Sequence, residues 1–505
     1  MNIPVVTVGE APEDLVGGLE RLHGPVTVVR RCAELPELLA ACQSGLARAA
    51  VIAEGSEGLT ATLVDRLAAV GVAVLVLTDD AGESRRLRGI GASVAGRSTG
   101  SAVLADRIAE AVAARSGRRG AGVGGGATAG PDSGADWDGV GAHFGGDSGR
   151  GFAPTEDGPG SGDDSGFGLP EGAGRILAVW GPTGAPGRTM VAVNVAAELA
   201  AAGQSVLLID ADSYGASIAA SLGLLDESAG LAQACRLADQ GLLDAGSLQR
   251  VAADVVFRGG QLGVLTGLTR ADRWPELRSA ALGLLLEVCR DAAQVTVIDC
   301  GFCLESDEEL SYDTLAPRRN AATLTSLAAA DSIIAVGSAD AIGLPRLVRG
   351  LADMANVVPG SMISNSTPSS AVPGSMIPAS APSRAVPGST LSSGNSGPTR
   401  STATAALPEG TVVVLNKVRK TAAGRGPENA LKLAWERFGP PVEIRHFLPW
   451  DPEAADKSLL AGALLREAAP DSALRRAVAG IVCAPVQRKR KRPVTTSTEI
   501  PLVSR

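Results

Sequence analysis

The residues best suited to chemistry lie in one glycine-rich stretch, Gly181-Pro182-Thr183-Gly184-Ala185-Pro186-Gly187-Arg188-Thr189-Met190. It sits between a short apolar run, 176–180, and an alanine-rich run, 191–201. Gly184 and Gly187 permit a tight turn and close approach of a ligand to the backbone. A turn that opens a helix lines up N–H donors at the positive end of the helix dipole, which suits a phosphate. In such a loop Arg188 would reach the outer phosphates and Thr189 would offer its hydroxyl to Mg²⁺. Ala185, Pro186 and Met190 complete the lining expected around a nucleotide. The loop alone is a weak signal, because glycine-rich surface turns are common.

Three later segments strengthen it. Val206-Leu207-Leu208-Ile209-Asp210-Ala211-Asp212 ends an apolar run in two carboxylates. Beside a phosphate loop, Asp210 and Asp212 could orient an attacking water and help hold a metal's shell. Val295-Thr296-Val297-Ile298-Asp299 delivers one carboxylate in the same way, suited to Mg²⁺ directly or through water. Each aspartate taken singly could equally cap a helix. Val412-Val413-Val414-Leu415-Asn416 ends in an amide that could hydrogen-bond an adenine edge. Four strand-ending polar features in succession make a nucleotide site the better reading.

The elements that must carry these residues are legible as pattern. From 174 to 485 apolar runs alternate with amphipathic ones, predicting an α/β domain built on a parallel sheet with flanking helices. His446 falls on a late strand and reads as a packed residue; Trp180 and Trp274 read as core or interface anchors. A Ser-, Pro- and Gly-rich stretch, 357–405, interrupts the domain. In it Val358-Pro359-Gly360-Ser361 recurs at 372–375 and 386–389, a 14-residue repeat without an apolar face, expected to be a disordered insertion.

Ahead of it, residues 1–116 show strands over 4–8, 26–29, 49–53, 72–77 and 92–95. Helical stretches lie between them, including 36–41 and 61–69, with a last one at 101–114. This predicts a second, flavodoxin-like α/β domain. Residues 117–173 are Gly, Ser and Asp rich and read as a flexible linker. Residues 486–505 form a tail opening on Arg488-Lys489-Arg490-Lys491-Arg492. That run is either a solvated charge run or an electrostatic contact for DNA or an anionic membrane.

Composition sets outer limits. The chain has 505 residues, of which 45% are apolar, enough for two or three cores, while the formal net charge of −8 argues against wholesale coating of nucleic acid. No apolar run reaches membrane-spanning length and the N-terminus lacks a secretion pattern, so a cytoplasmic protein is expected. Seven scattered cysteines suggest reduced thiols. Cys300 and Cys303 form a C-x-x-C without a second pair or histidine nearby, and read as small, partly buried residues.

In order and spacing, residues 174–485 resemble the MinD/ParA superfamily of deviant Walker A ATPases. Ala330-Asp331-Ser332-Ile333-Ile334-Ala335-Val336 resembles the family's next strand, and Phe447-Leu448-Pro449-Trp450-Asp451-Pro452 its late segment beside the base, which implicates Pro449 and Asp451. Leu265-Thr266-Gly267 and Trp274-Pro275-Glu276-Leu277, with the leading domain, are similar to the CpaE/TadZ branch. The resemblance implies ATP and Mg²⁺, a homodimer, and a role in positioning envelope, pilus, secretion or division machinery, peripheral at the membrane or pole. Two departures stand out: Thr183 replaces a lysine that crosses the dimer, and Arg188 replaces the phosphate-binding lysine, so weak or absent hydrolysis is expected. The leading domain resembles a receiver whose acidic and lysine positions hold Gly9-Glu10, Ala53-Glu54 and Gly96-Arg97, a pseudo-receiver expected to contact protein partners. A non-catalytic scaffold and a nucleoid-binding partition protein remain the rival expectations.

Overall fold

The computed structural model describes residues 2–9, 17–19, 21, 24–119, 173–224, 229–305, 317–358 and 406–483. The centre of the expected linker, the repeat insertion beyond Val358 and the basic tail lie outside them.

The first unit is a five-stranded parallel sheet, β1 (Ile3–Val8), β2 (Val26–Cys32), β3 (Ala49–Ile52), β4 (Ala73–Leu77) and β5 (Ser93–Ala95), in the order 2-1-3-4-5. β3 and β4 are buried at every position, the signature of a parallel strand covered on both faces. Helices α1 (Leu35–Gln43), α2 (Ala61–Ala69), α3 (Ala81–Gly89) and α4 (Ser101–Arg119) cover it. Thr60 and Asp80 cap α2 and α3 through hydrogen bonds from Leu63 and Glu83 N–H. Pro36 sits in the first turn of α1, where its missing N–H costs nothing. Helix α4 runs to Arg119, past the linker boundary expected at 117.

The second unit is an eight-stranded sheet. Its elements are β6 (Arg175–Trp180), α5 (Arg188–Ala201), β7 (Val206–Ala211), α6 (Gly230–Asp239), α7 (Ala245–Val251), β8 (Ala253–Phe257), β9 (Gly260–Leu265), α8 (Ser279–Ala292), β10 (Val295–Cys300), α9 (Ala321–Ala329), β11 (Ser332–Ser338), α10 (Gly343–Val357), β12 (Thr411–Val418), α11 (Pro427–Phe438), β13 (Ile444–Pro449), α12 (Pro452–Ala461) and α13 (Ala473–Cys483). The strand order is 13-12-11-6-10-7-9-8. All neighbours pair in parallel except β8 and β9, an antiparallel hairpin at one edge. The sheet is parallel with flanking helices, as expected, and the antiparallel hairpin is an addition at one edge, where Arg258 and Gly259 (φ +98°) turn the chain straight back. α10 extends through Val357, and Val358 is buried against the core.

Side chains alternate across β6. Ile176, Ala178 and Trp180 join the core under α6, α8 and α10, while Leu177 and Val179 join the core under α5 and α13. At about 25 cal/mol per Å² of apolar surface, these two layers supply most of the driving force that seats the loop after β6. The two units also touch. Thr62 N–H and Oγ1 both donate to Asp239 Oδ1, at 2.7 and 2.6 Å, Arg86 Nη1 donates to the Gln240 carbonyl, and Ala280 and Leu284 of α8 pack on the first core. Among the described residues no helix is long and apolar enough to cross a membrane.

Candidate functional site

Register fixes the site. Asp299 of β10 pairs with Val179 on one side and Asp210 on the other, so two carboxylates stand side by side at the C-terminal ends of central strands. This is where a parallel α/β sheet opens a ligand crevice. The loop after β6 crosses above them. Gly184 (φ +106°), Ala185 (φ +51°) and Gly187 (φ +95°) all adopt left-handed conformations, and a Cβ on Gly187 would lie 2.4 Å from Asn416 Nδ2. Only glycine fits there.

α5 begins at Arg188, directly on the loop. Thr189 Oγ1 donates to Asp299 Oδ2 at 2.6 Å, and Ser217 Oγ donates to Thr189 Oγ1 at 3.3 Å. Asp299 is 1% exposed, and its other oxygen, Oδ1, is buried without a partner. Burial, reinforced by the charge of Asp210, raises the Asp299 carboxyl well above its ordinary range, with Thr189 and Arg188 opposing. Asp210 is pushed up to about 6 by burial, although N–H groups of Ile218, Ser217 and Asp212 pull the other way. An orphaned carboxylate oxygen beside a threonine hydroxyl fits one corner of a Mg²⁺ shell. Such an ion draws most of its other ligands from phosphates and water, so a single protein carboxylate suffices.

The two remaining charged candidates are joined to each other. Arg188 Nη2 donates to Asp212 Oδ2 at 3.0 Å, and Nη1 donates to the Gly181 carbonyl at 2.9 Å. Asp212 Oδ1 accepts from the N–H groups of Tyr214 and Gly215. The sequence suggests Arg188 on phosphates and Asp212 on a water; here each occupies the other. Asp210 likewise spends Oδ2 on the N–H groups of Ser217 and Ile218, at the start of a short helix. It organises the turn after β7, the capping alternative open to it from sequence.

Asn416 braces the loop. Its Nδ2 donates to the Pro186 carbonyl at 2.8 Å and its Oδ1 accepts from Lys417 N–H. Met190 packs beside the core under α5, and its carbonyl accepts from Asn194. Pro449 ends β13 in register with Val418, and Asp451 caps α12 through Ala454 N–H. Between them the half-exposed Trp450 ring lies 5.7 Å from Lys417 Nζ and 5.6 Å from the Arg419 guanidinium. His446 is half-buried, and burial lowers its pKa, in keeping with a packed residue.

Two contributors carry no motif. Lys417 Nζ donates to the Ala185 carbonyl at 2.7 Å, and Arg346 of α10 reaches over Gly184. A cleft of about 220 Å³ lies there, lined by Thr183, Gly184, Pro186, Asp340 and Arg346 among others. The signal for Lys417 lies in its place after Asn416; Arg346 has none.

Strand, left-handed glycine loop, helix and strand-end carboxylate together define a phosphate-loop α/β domain. Residues 173–278 match the ParA family profile, described as NUBPL iron-transfer P-loop NTPase. No curated protein matches the chain. Among solved structures it is similar to the septum site-determining protein MinD of Pyrococcus horikoshii OT3 complexed with Mg-ADP, with 15% identity, 61% of this chain and 94% of that one covered, and a TM-score of 0.40. A ParA family ATPase from Chlorobium tepidum TLS matches at 14% identity over 61% of this chain and 98% of its own, TM-score 0.42. The Cyanothece McdA–ATP complex matches at 13% identity over 63% and 99%, TM-score 0.41. The described residues offer no cluster of three or more His, Cys, Asp or Glu placed to hold a metal by themselves. Cys300 is fully buried at the end of β10, where burial raises its thiol, and Cys303 is only partly covered.

Proposed function

We propose that the chain binds ATP with Mg²⁺ at the loop 181–189 and acts as a nucleotide-dependent positioning factor of MinD/ParA type, CpaE/TadZ-like, with weak or absent hydrolysis. One observation carries the nucleotide reading: the Thr189–Asp299 hydrogen bond under the glycine loop, with Asp299 Oδ1 buried and unpartnered. Loop N–H groups and the start of α5 would hold phosphates, and Thr189 and Asp299 would hold the ion, whose charge offsets the buried carboxylates and the phosphates. Gly184, Ala185, Pro186, Gly187 and Met190 shape the loop, with Asn416 behind it; Pro449, Trp450 and Asp451 flank the base end.

Weak turnover is supported by the Arg188–Asp212 pair, which occupies the guanidinium and the carboxylate a hydrolytic site would use. The same pair favours a second reading, a scaffold in which nucleotide is irrelevant. The first unit has the receiver-like strand order and carries Gly9, Glu54 and Gly96-Arg97 at its strand ends, so it is proposed to contact protein partners rather than transfer phosphate. Homodimer formation and a DNA or membrane contact through 488–492 belong to the same proposal.

The test is thermal unfolding of the full chain with and without ATP–Mg²⁺, together with a phosphate-release assay. At roughly a hundredfold excess over its dissociation constant ATP should stabilise by about 2.7 kcal/mol. Asp299→Ala should abolish that gain, and phosphate release should stay near background. An unshifted transition at millimolar ATP selects the scaffold instead.

A further inference from the structure

Among the described residues only two non-glycine positions have positive φ: Ala185 at +51° and Lys417 at +60°. They lie 232 positions apart and touch, through the 2.7 Å hydrogen bond from Lys417 Nζ to the Ala185 carbonyl. Left-handed backbone at non-glycine residues costs free energy and persists where the surroundings impose it, most often at ligand sites. Here the strain at Lys417 delivers an ammonium to the loop from the end of β12. Arg346 of α10 also reaches the loop: its Nη1 would lie 2.5 Å from a Cβ on Gly184. The Arg346 side chain is exposed at the mouth of the 220 Å³ cleft. The loop's own resources are poorer: Thr183 is uncharged, and both terminal nitrogens of Arg188 are taken by Gly181 and Asp212.

We propose that Lys417 and Arg346 form a two-cation clamp for the outer phosphates of a nucleoside di- or triphosphate bound at the loop, supplying from β12 and α10 the charge that the loop lacks. The proposal rests on the nucleotide reading above and adds the residues that grip the ligand. A guanidinium and an ammonium held against adjacent loop residues, Gly184 and Ala185, suit a polyphosphate, since the planar fork can engage two oxygens and the ammonium acts as a point charge. Lys417 would exchange one carbonyl for a phosphate oxygen, and Arg346 would close the cleft over it.

Calorimetric titration of the full chain with ATP–Mg²⁺, ADP–Mg²⁺ and AMP tests this, using Arg346→Ala, Lys417→Ala and the charge-keeping Arg346→Lys and Lys417→Arg. Each alanine variant should bind ATP and ADP roughly tenfold more weakly, the loss expected for one charged hydrogen bond. AMP affinity should hold, the charge-keeping variants should recover part of the loss, and raising salt should narrow the gap. Wild-type ATP affinity in Arg346→Ala overturns the clamp; so does an equal loss for all three nucleotides, which would mean the side chains only brace the loop. If Lys417→Ala does not fold, the exposed Arg346 carries the test alone. A wild-type chain that binds none of the three fails at the nucleotide reading itself, a result distinct from either.

Discussion

The molecule contains two sheets, one parallel and one parallel except for its edge hairpin, whose C-terminal edges could each hold a ligand, and they are furnished in opposite ways. At the edge of the eight-stranded sheet, Asp210, Asp212 and Asp299 are all buried beneath a left-handed loop and are met by Arg188 and Thr189. At the edge of the five-stranded sheet, Glu54, Asp79 and Asp80 face solvent, and their contacts are local: Asp79 accepts from Arg97 N–H and Asp80 caps α3. The same doubly wound logic produced both edges, so the sheet supplies only the place. Buried charge, which is costly, gathers at only one of the two edges among the described residues.

The sharpest way to break that contrast is to remove one partner at each edge. Arg188→Ala leaves the Asp212 carboxylate buried without its cation and should cost about 3 kcal/mol, read by denaturant unfolding. Glu54→Ala should stay within about 0.5 kcal/mol. Equal effects would mean that the buried carboxylates are no more demanding than surface ones.

A matched pair of glycines sharpens it further. Gly9 (φ +84°) follows β1, and a Cβ there would lie 2.7 Å from Glu54 Cβ; Gly187 (φ +95°) has Asn416 Nδ2 in the same relation. Alanine at either position should cost about 1–2 kcal/mol from the backbone conformation alone. Only Gly187→Ala should also abolish stabilisation by ATP–Mg²⁺. If Gly9→Ala abolished it as well, the two edges would be coupled through the Thr62–Asp239 seam rather than independent.

Much of this was legible before any coordinates. Asp299 and Thr189 could be read because one ends the largely apolar run 295–298 and the other stands two residues after Gly187 at the start of α5, where local pattern determines position. The Arg188–Asp212 pair could not. Both residues are conspicuous, but whether they serve a ligand or each other depends on how far the turn after β7 swings beneath α5. The partners of Asn416 could not be read, because a strand end says nothing about which way its amide points. Arg346 lies on an ordinary amphipathic helix and acquires meaning only when α10 packs next to the loop. The β8–β9 hairpin escaped notice because a two-residue Arg258-Gly259 turn lacks the usual Asn-Gly or Asp-Gly signal.

The smallest expected effect is the pH dependence left by the buried carboxylates. Asp210 keeps its proton up to about pH 6 in the folded chain and only to its ordinary 3.8 when unfolded. Between those values the folded state binds more protons, so this group's contribution to stability is greatest below pH 4 and declines as pH rises to about 6. The slope is bounded by about 1.4 kcal/mol per pH unit for one proton. Asp299, raised in the same direction chiefly by burial, adds to this decline. Asp299→Asn removes that charge, so without nucleotide it should flatten the profile and make the variant more stable than wild type at pH 7.5, measured by urea unfolding across pH 4.5–8. The same variant should lose its response to ATP–Mg²⁺. A gain in stability together with loss of ligand response identifies a carboxylate held at a cost for binding; loss of both would identify Asp299 as structural support for α5 and nothing more.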